Sequence, residues 1–276
     1  MLTVPKCNFH THTCFSDGAN TPEEIVLEAL RQGLTALGFS DHSFTPFDTH
    51  PCPSQENIDL VRSEVLRLKE LYRDRIYIFC GLEQDVHSAQ PTEAYDYLIG
   101  SVHHVFKDGV FYSVDRSKDV FLNNVKEGFG GDFYRFASAY FEEVVGIVEK
   151  TKCQIVGHFD LVEKFNEGNA LYSTNDYRYR RPMIDALDEL LKQDVVFEIN
   201  TGAMARGNRT TPYPSPYVLR RIAEKRGIVV LNSDAHRKEN LTYAFSDAVQ
   251  YARSCGIGGL AILGDRGWEI QSLKTR

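Results

Sequence analysis

Short apolar runs alternate along this chain with longer segments of helical periodicity. Runs that carry few charges and end in polar residues are typical of buried parallel strands. We predict strands at residues 4–10, 35–40, 76–80, 97–102, 154–157, 195–199 and 228–232. Helices are predicted between them at residues 25–32, 56–72, 133–150, 183–193, 216–225 and 241–254, and a last apolar segment covers residues 259–263. The pattern weakens between residues 107 and 131.

This alternation predicts an α/β fold in which helices cover a parallel sheet. Seven strand–helix units favour a closed, TIM-like (β/α)7 barrel, while a doubly wound open sheet is the alternative. No linker or break in composition divides the chain, so we expect a single domain over residues 1–276.

Composition narrows the class of protein. Lys and Arg number 31 against 38 Asp and Glu, a net charge of −7, which argues against broad nucleic-acid binding. The six cysteines are scattered without a Cys-x-x-Cys pair, so we expect them to be reduced. The sequence shows no signal-peptide pattern and no apolar run long enough for a membrane span. We therefore expect a cytoplasmic protein, and its oligomeric state stays open.

Candidate metal ligands follow the ends of most predicted strands. His10 and His12 come after the first strand, where residues two apart point the same way. Alone, such a pair is as typical of a surface as of a metal site. Imidazole and carboxylate groups recur at later strand ends, however, and such ends converge at the mouth of a barrel. The full set is His10, His12, Asp17, His42, Glu83, His103, His158, Asp234 and His236.

Nine candidates exceed the three protein ligands that a catalytic zinc ion usually takes. The set therefore suits two or three ions, and imidazole and carboxylate without thiolate favour zinc, manganese or iron. Such centres activate water and stabilise a phosphoryl group during displacement, so the pattern favours phosphoester hydrolysis. Hydrolysis of an amide or amine is the main competing hypothesis.

A phosphate substrate also needs cationic donors away from the metals. Arg206 follows the sixth strand and could supply a planar fork, and Lys164 is a weaker candidate. His104 and His42 are further candidates for substrate contacts. The cluster Arg178, Arg180 and Arg181 is more typical of a solvated face, and we expect His50 and His87 at the surface.

Six ordered motifs connect the chain with a known family. They are FHTHT at 9–13 with SDG at 16–18, SDHS at 40–43, GLE at 81–83, GSVH at 100–103, GHFD at 157–160 and NSDAH at 232–236. Together they resemble the motifs of the polymerase-and-histidinol-phosphatase (PHP) superfamily. Within it, the length of the chain, GSVHHV at 100–105 and the helical segment at 134–149 are most similar to monofunctional histidinol-phosphate phosphatases.

The resemblance implies a distorted seven-stranded barrel, a trinuclear metal site and conversion of L-histidinol phosphate to L-histidinol and phosphate in histidine biosynthesis. It divides the ligands into His10, His12, Glu83 and Asp234 for one ion, His103 and His158 with bridging Glu83 for a second, and Asp17, His42 and His236 for a third. Some relatives have histidine at the position of Asp17, so this chain departs from them there.

The expected mechanism uses a metal-bound hydroxide in line with phosphorus. Arg206 would offset the charge on the phosphoryl oxygens, and Asp234 or a nearby histidine such as His236 would orient the hydroxide. Two other hypotheses stay open. The same centre could act on nucleotides or oligonucleotide ends, or the chain could be a non-catalytic, metal-dependent accessory domain.

Overall fold

One sheet of nine strands and a separate two-stranded hairpin form the β structure of the computed structural model, which describes residues 4–48, 53–264 and 267–273. The strands are β1 (Cys7–Asn8), β2 (Ala36–Phe39), β3 (Tyr77–Asp85), β4 (Tyr97–Ser101), β5 (His104–Lys107), β6 (Val110–Ser113), β7 (Ile155–Val156), β8 (Val196–Asn200), β9 (Ile228–Asn232), β10 (Gly259–Gly264) and β11 (Gly267–Ser272). The sheet order is β1-β2-β3-β4-β7-β8-β9-β10-β11, and only the last pair is antiparallel.

The sheet curls until β9 meets β1 again. A parallel bridge joins Thr11, just past β1, to Ala235, just past β9. The His12 amide donates to the Ala235 carbonyl at 2.9 Å, and the Ala235 amide donates to the His10 carbonyl at 3.2 Å. Seven parallel strands thus form a ring, which confirms the expected α/β barrel rather than a doubly wound open sheet.

The final hairpin extends the sheet beyond the seven predicted strands. The apolar segment at 259–263 is β10, which pairs with β9, and β11 returns beside it. Trp268 of β11 packs edge-on against Phe9 with ring centroids 6.0 Å apart. The sequence analysis did not predict β11 because its apolar residues are separated by polar ones and form no continuous run. In the structure this strand is partly exposed, and Ile270 is 58% exposed.

Nine α-helices lie among the described residues: α1 (Pro22–Arg31), α2 (Gln55–Leu71), α3 (Lys118–Phe129), α4 (Phe133–Val145), α5 (Ile147–Thr151), α6 (Tyr177–Leu190), α7 (Gly202–Ala205), α8 (Pro216–Glu224) and α9 (Phe245–Ser254). At α1, Thr21 and Glu24 form the predicted capping box. Helix α6 begins six residues before the predicted start, because Asp176 caps it and Pro182 lies inside it.

The weakly patterned region at 107–131 holds α3 and the turn and second strand of the β5–β6 hairpin, whose first strand begins at His104. Asp108 and Gly109 form its turn with φ of 51° and 81°. An Asp-Gly pair is a strong sequence signal for a two-residue hairpin, since both turn positions need positive φ. The sequence therefore carried a signal for this hairpin that the search for apolar periodicity did not use.

Tyr97 fills the interior of the barrel. Its ring is buried and packs edge-on against Phe9, and its hydroxyl donates to the Phe9 carbonyl at 2.5 Å. Gly38 and Gly81 on the neighbouring strands leave room for it, because a Cβ at either position would lie 2.2 Å from an atom of Tyr97. The size of Tyr97 thus requires two glycines beside it.

We expect Gly81→Ala to destabilise the fold by about 3 kcal/mol, because overpacking displaces the buried Tyr97 ring and the strand that carries it. The measurement is the midpoint of urea unfolding. Gly258→Ala is the matched control, since a Cβ there meets no atom within 4 Å. Equal midpoints for the two variants would show that the barrel interior is not tightly packed around Tyr97.

Candidate active site

A cavity of about 480 Å³ opens where the strands of the ring end. Its wall includes Asp17, His42, Glu83, His103, His158, Asp234 and His236. His10 and His12 lie beneath this wall, fully buried against the same carboxylates. The structure therefore brings all nine predicted ligand candidates together at one mouth, although they come from sequence positions more than two hundred residues apart.

Glu83, near the end of β3, lies at the centre of this cluster and is almost completely buried. Its Oε1 lies 3.0 Å from His158 Nε2 and 3.4 Å from His103 Nε2. Its Oε2 lies 2.9 Å from His42 Nδ1 and 3.4 Å from His10 Nε2. One carboxylate thus faces imidazoles from four loops, which is the arrangement expected of a bridging ligand.

Asp234 forms a second meeting point of the cluster. Its Oδ1 lies 3.2 Å from His12 Nε2, 3.7 Å from His10 Nε2 and 3.4 Å from His236 Nδ1. The backbone of Asp234 has a φ of 49°, which is uncommon for a residue other than glycine. Backbone strain of this kind is often found at functional sites, where it aims a side chain.

Asp17 closes the cluster on the solvent side. Its carboxylate lies 2.9 Å from His236 Nε2 and 3.6 Å from both His42 Nε2 and His12 Nδ1. These four side chains offer ligand atoms that all lie within 4.8 Å of one another. Two further groups meet the same distance limit: His10 with His12 and Asp234, and His42 with Glu83 and His103.

A buried carboxylate that does not face the cavity holds the loop that carries Asp17. Asp41 accepts hydrogen bonds from the Thr13 amide at 2.6 Å and the Thr13 hydroxyl at 2.8 Å, and also from the Ser16 hydroxyl. These bonds tie the loop after β1 to the end of β2. Asp41 therefore helps to set the position of Asp17 through the hydrogen bonds that hold this loop.

The charges of the cluster are balanced between carboxylates and imidazoles. Burial opposes ionisation of Glu83, but the imidazoles of His10 and His42 outweigh it and hold the pKa of the carboxyl well below its usual range. Burial, together with the charges of His236 and His42, lowers the pKa of His12 to about 3, so its ring is neutral. Burial also opposes the charged forms of His10 and His42, but Glu83 and the other nearby carboxylates outweigh it and raise the pKa of both imidazoles, so these two rings must lose a proton when they bind a metal.

Unpaired polar atoms provide an independent test of the fit to a metal. His10 Nε2, both ring nitrogens of His12, and His158 Nδ1 are buried and have no hydrogen-bond partner among the described residues. Leaving such groups unpaired costs free energy unless another partner satisfies them. The Nε2 atoms of His10 and His12 face Asp234 and Glu83, so a divalent cation fits this donor set.

Arg206 and Lys164 both reach the cavity, as the sequence predicted, but each is already paired. Arg206 Nη2 donates to Asp234 Oδ2 at 2.8 Å, and Nη1 lies 3.0 Å from His236 Nδ1. Lys164 Nζ donates to the backbone and side-chain oxygens of Asp115 at 2.8 and 3.1 Å. The planar guanidinium of Arg206 thus contacts two ligand candidates, Asp234 and His236, through its two terminal nitrogens.

The other predicted cations and histidines have separate positions. His104 is buried at the cavity wall with Nε2 3.4 Å from Asp48 Oδ2. His87 is wrongly predicted to be at the surface: its side chain is only 13% exposed, because Phe47, Phe106 and Phe111 pack around it. His50 lies outside the described residues. The cluster Arg178, Arg180 and Arg181 forms ion pairs and ring contacts on α6, away from the cavity.

Comparison with known families agrees with this geometry. The model of the PHP domain family matches residues 8–202. The chain belongs to the PHP domain family. A curated PHP relative, the "Probable histidinol-phosphatase" of Deinococcus radiodurans, is 29% identical over 91% of this chain and 94% of its own length. Another of the same name from Schizosaccharomyces pombe is 25% identical over 87% of this chain and 83% of its own length.

A solved structure shares the fold. It is the histidinol phosphate phosphatase of Lactococcus lactis complexed with zinc, L-histidinol and phosphate, which superposes with a TM-score of 0.72 at 20% identity. The superposition covers 97% of this chain and all of that one. This PHP domain thus shares the barrel fold of that protein.

Sequence reasoning missed carboxylates that hold the ligand candidates of the PHP domain. Asp85 Oδ2 lies 3.1 Å from His103 Nδ1, and Glu198 Oε1 lies 2.7 Å from His10 Nδ1. Signals for both were present. Asp85 is two residues after Glu83, hence on the same face of its strand, and Glu198 is a lone charge within an apolar strand, which needs a buried partner.

We expect metal binding to the metal-free PHP domain at pH 8 to release protons. Burial opposes the charged form of His103, but Glu83 and Asp85 outweigh it and raise the pKa of this imidazole to about 10, so it is protonated at pH 8. A ligating imidazole must lose that proton, so metal affinity should increase as pH rises from 7 towards 10. Zinc titration in weak buffer with an indicator dye measures the release. Binding without proton release would exclude His103 as a ligand.

Proposed function

We propose that this chain is a metal-dependent phosphomonoesterase that hydrolyses L-histidinol phosphate to L-histidinol and inorganic phosphate. One observation carries the proposal: the cavity combines a metal-suited cluster of imidazoles and carboxylates with the guanidinium of Arg206 and the ammonium of Lys164. Membership of the PHP family and the names of its curated relatives point in the same direction.

The proposed centre would hold three divalent ions, of zinc, manganese or iron. His10, His12 and Asp234 would hold one; His103 and His158 would hold a second, with Glu83 bridging; Asp17, His42 and His236 would hold the third. The chemistry that such ions supply is activation of water and neutralisation of charge on phosphate oxygens. Asp17 offers a charged oxygen at its site, which favours a hard divalent ion there.

The protein groups have separate tasks in this reaction. Arg206 and Lys164 bind the phosphate oxygens and offset the charge that develops on them. Burial raises the pKa of Asp234, but Arg206 and His10 outweigh it and hold this pKa well below its usual range, so the carboxylate is ionised. Asp234 would orient the attacking water as an acceptor of its hydrogen bond, and His236, whose Nδ1 lies 3.4 Å from Asp234 Oδ1, would accept the proton, because a carboxyl group with so low a pKa is a weak base.

The far end of the substrate carries an imidazole and an ammonium group, so it needs acceptors. The cavity wall includes His104 and Asp48 as well as the cations, and His104 Nδ1 is buried and has no hydrogen-bond partner within the described ranges. We assign this part of the wall to the imidazole and amine of histidinol phosphate. His42, which is 16% exposed at the cavity, contacts the phosphoryl side.

A second substrate class, nucleotides or oligonucleotide ends, is favoured by one observation. An open cavity next to the first one shares Arg116, Lys164 and Arg206 with it and adds Lys118. These side chains could hold a second phosphate of an extended substrate. The acidic balance of the whole chain does not favour long nucleic acids.

Further proposals concern the setting of the enzyme. We place it in the cytoplasm, as a single domain over residues 1–276. Cys7, Cys14, Cys80, Cys153 and Cys255 are free, which suits a reducing compartment. None of the helices in the described ranges is long and apolar enough to cross a membrane.

A phosphate-release assay with zinc- or manganese-loaded protein tests the substrate. It compares histidinol phosphate, nucleoside monophosphates and 4-nitrophenyl phosphate at equal concentration. We expect kcat/KM to be highest for histidinol phosphate by about a hundredfold, because buried polar groups discriminate strongly against substrates that do not pair with them. Equal or faster release from nucleoside monophosphates would favour the second substrate class instead.

Glu83→Gln tests the metal centre in the same assay. We expect turnover to fall by about a thousandfold or more, together with a loss of bound metal, because the shared carboxylate is replaced by a neutral amide. Bound metal is counted by atomic emission. Glu149→Gln, an exposed change on α5, is the control and should leave both quantities unchanged. Full activity of Glu83→Gln would contradict the assignment.

Replacing the two cations separates their roles. Lys164→Ala should raise KM about tenfold with little change in kcat, as expected for loss of one charged hydrogen bond. Arg206→Ala should raise KM and also lower kcat, because Arg206 holds Asp234 through its fork. Arg181→Ala, which changes an exposed arginine of α6, is the control for steady-state kinetics. An unchanged KM in Arg206→Ala would remove this residue from the phosphate site.

A further inference from the structure

We infer that Glu198 is a positioning residue that fixes the ring of His10 so that Nε2 is its ligating nitrogen. The inference rests on the proposed metal centre and not on the identity of the substrate. Glu198 lies in β8, is 1% exposed, and lines none of the cavities at the barrel mouth. It therefore acts through other residues rather than on the substrate.

Four donors converge on the carboxylate of Glu198. Oε1 lies 2.7 Å from His10 Nδ1 and accepts a hydrogen bond from Asn232 Nδ2 at 2.9 Å. Oε2 accepts hydrogen bonds from Asn200 Nδ2 at 2.9 Å and from the His158 amide at 3.1 Å. Two of these partners belong to ligand candidates, so one buried group reaches two parts of the proposed metal centre.

The orientation of both amides is fixed by the backbone. Asn232 Oδ1 accepts from the Phe9 amide at 2.9 Å, and Asn200 Oδ1 accepts from the Gly202 amide at 2.8 Å. Each asparagine must therefore present its NH2 group to Glu198. These donors require that both side-chain oxygens of residue 198 accept hydrogen bonds. A glutamine has only one such oxygen, so in either orientation its NH2 group would face two donors.

This network determines the tautomer of His10. Since the two oxygens of Glu198 can only accept, Nδ1 of His10 must carry a proton and donate it. In the neutral ring that binds a metal, Nε2 then keeps its lone pair, and this atom lies 3.4 Å from Glu83 Oε2 and 3.7 Å from Asp234 Oδ1. A carboxylate behind a ligating histidine raises the basicity of the ligand and fixes its orientation.

A purely structural role for Glu198 is the competing explanation, because Asn232 also joins β9 to β1 through Phe9. The two explanations differ in a measurable way. Loss of a structural bond lowers stability, whereas loss of a positioning bond also weakens metal binding and changes which nitrogen of His10 is protonated. Glu163→Gln is a matched control, because Glu163 is a buried carboxylate that accepts a hydrogen bond from Tyr179 and pairs with Arg209, and neither partner is a ligand candidate.

Zinc affinity, measured by competition with a chromophoric chelator, tests the inference without substrate. We expect Glu198→Gln to bind zinc 10 to 100-fold more weakly at one site, the range typical for loss of such a partner. Glu163→Gln should stay within twofold of the unmodified protein. Equal zinc affinity in both variants overturns the inference. Tight zinc binding without release of phosphate from histidinol phosphate contradicts the proposed function alone.

Nuclear magnetic resonance of the zinc-loaded, unmodified protein decides the tautomer even where Glu198→Gln does not fold. With ¹⁵N-labelled histidine, long-range ¹H–¹⁵N spectra distinguish the protonated from the ligating ring nitrogen. The signals of His10 are assigned by their loss in His10→Asn. A proton on Nδ1 that exchanges slowly with solvent supports the inference, and a proton on Nε2 overturns it.

Discussion

Burial of an imidazole–carboxylate cluster at the closing end of the barrel is the constraint on which the rest of this structure depends. An isolated carboxylate or imidazolium in such a place would cost several kcal/mol. Here the carboxylates lie close to several imidazoles each. Glu83, for example, faces imidazoles from four loops. The mutual arrangement lowers the electrostatic cost but leaves ring nitrogens of His10 and His12 without hydrogen-bond partners in the described part of the chain. The cluster is therefore organised for cations rather than for its own stability.

The bridge that closes the barrel between β1 and β9 and the candidate metal centre use the same residues. The backbone of His10 and His12 bridges to Ala235, while their side chains point to Asp234 and Glu83. The Asp234 side chain is aimed by a positive φ immediately beside that bridge. Closure of the barrel and placement of the ligand candidates both depend on the short segments that follow β1 and β9. The register of β1 against β9 therefore fixes distances within the cluster.

Much of this arrangement could be predicted from the sequence because parallel strands impose their own geometry. Continuous apolar strands separated by helices predict a parallel sheet, and its C-terminal ends must converge, so histidines and acidic residues after six different strands were expected at one mouth. No such rule sets tautomers or hydrogen-bond partners. Glu198 and Asp41 act through contacts with residues distant in sequence, and a lone acidic residue does not reveal which donors it will meet. The β5–β6 hairpin and β11 were missed for a different reason, since their apolar residues are partly exposed and give no continuous run.

The charge of the cavity explains why overall composition says little about the substrate. The chain is acidic as a whole, yet Arg206 and Lys164 line a wall that also carries Asp48 and Asp115. Each cation is held by a carboxylate, so neither can move freely towards solvent, and their orientation is set before an anion arrives. Preorganised charges of this kind stabilise a developing phosphoryl charge better than mobile ones, because no reorganisation is needed during the reaction. A site with both signs of charge fixed in place suits a small zwitterionic phosphate ester better than a polyanion, since the carboxylates that orient the cations would repel additional phosphates.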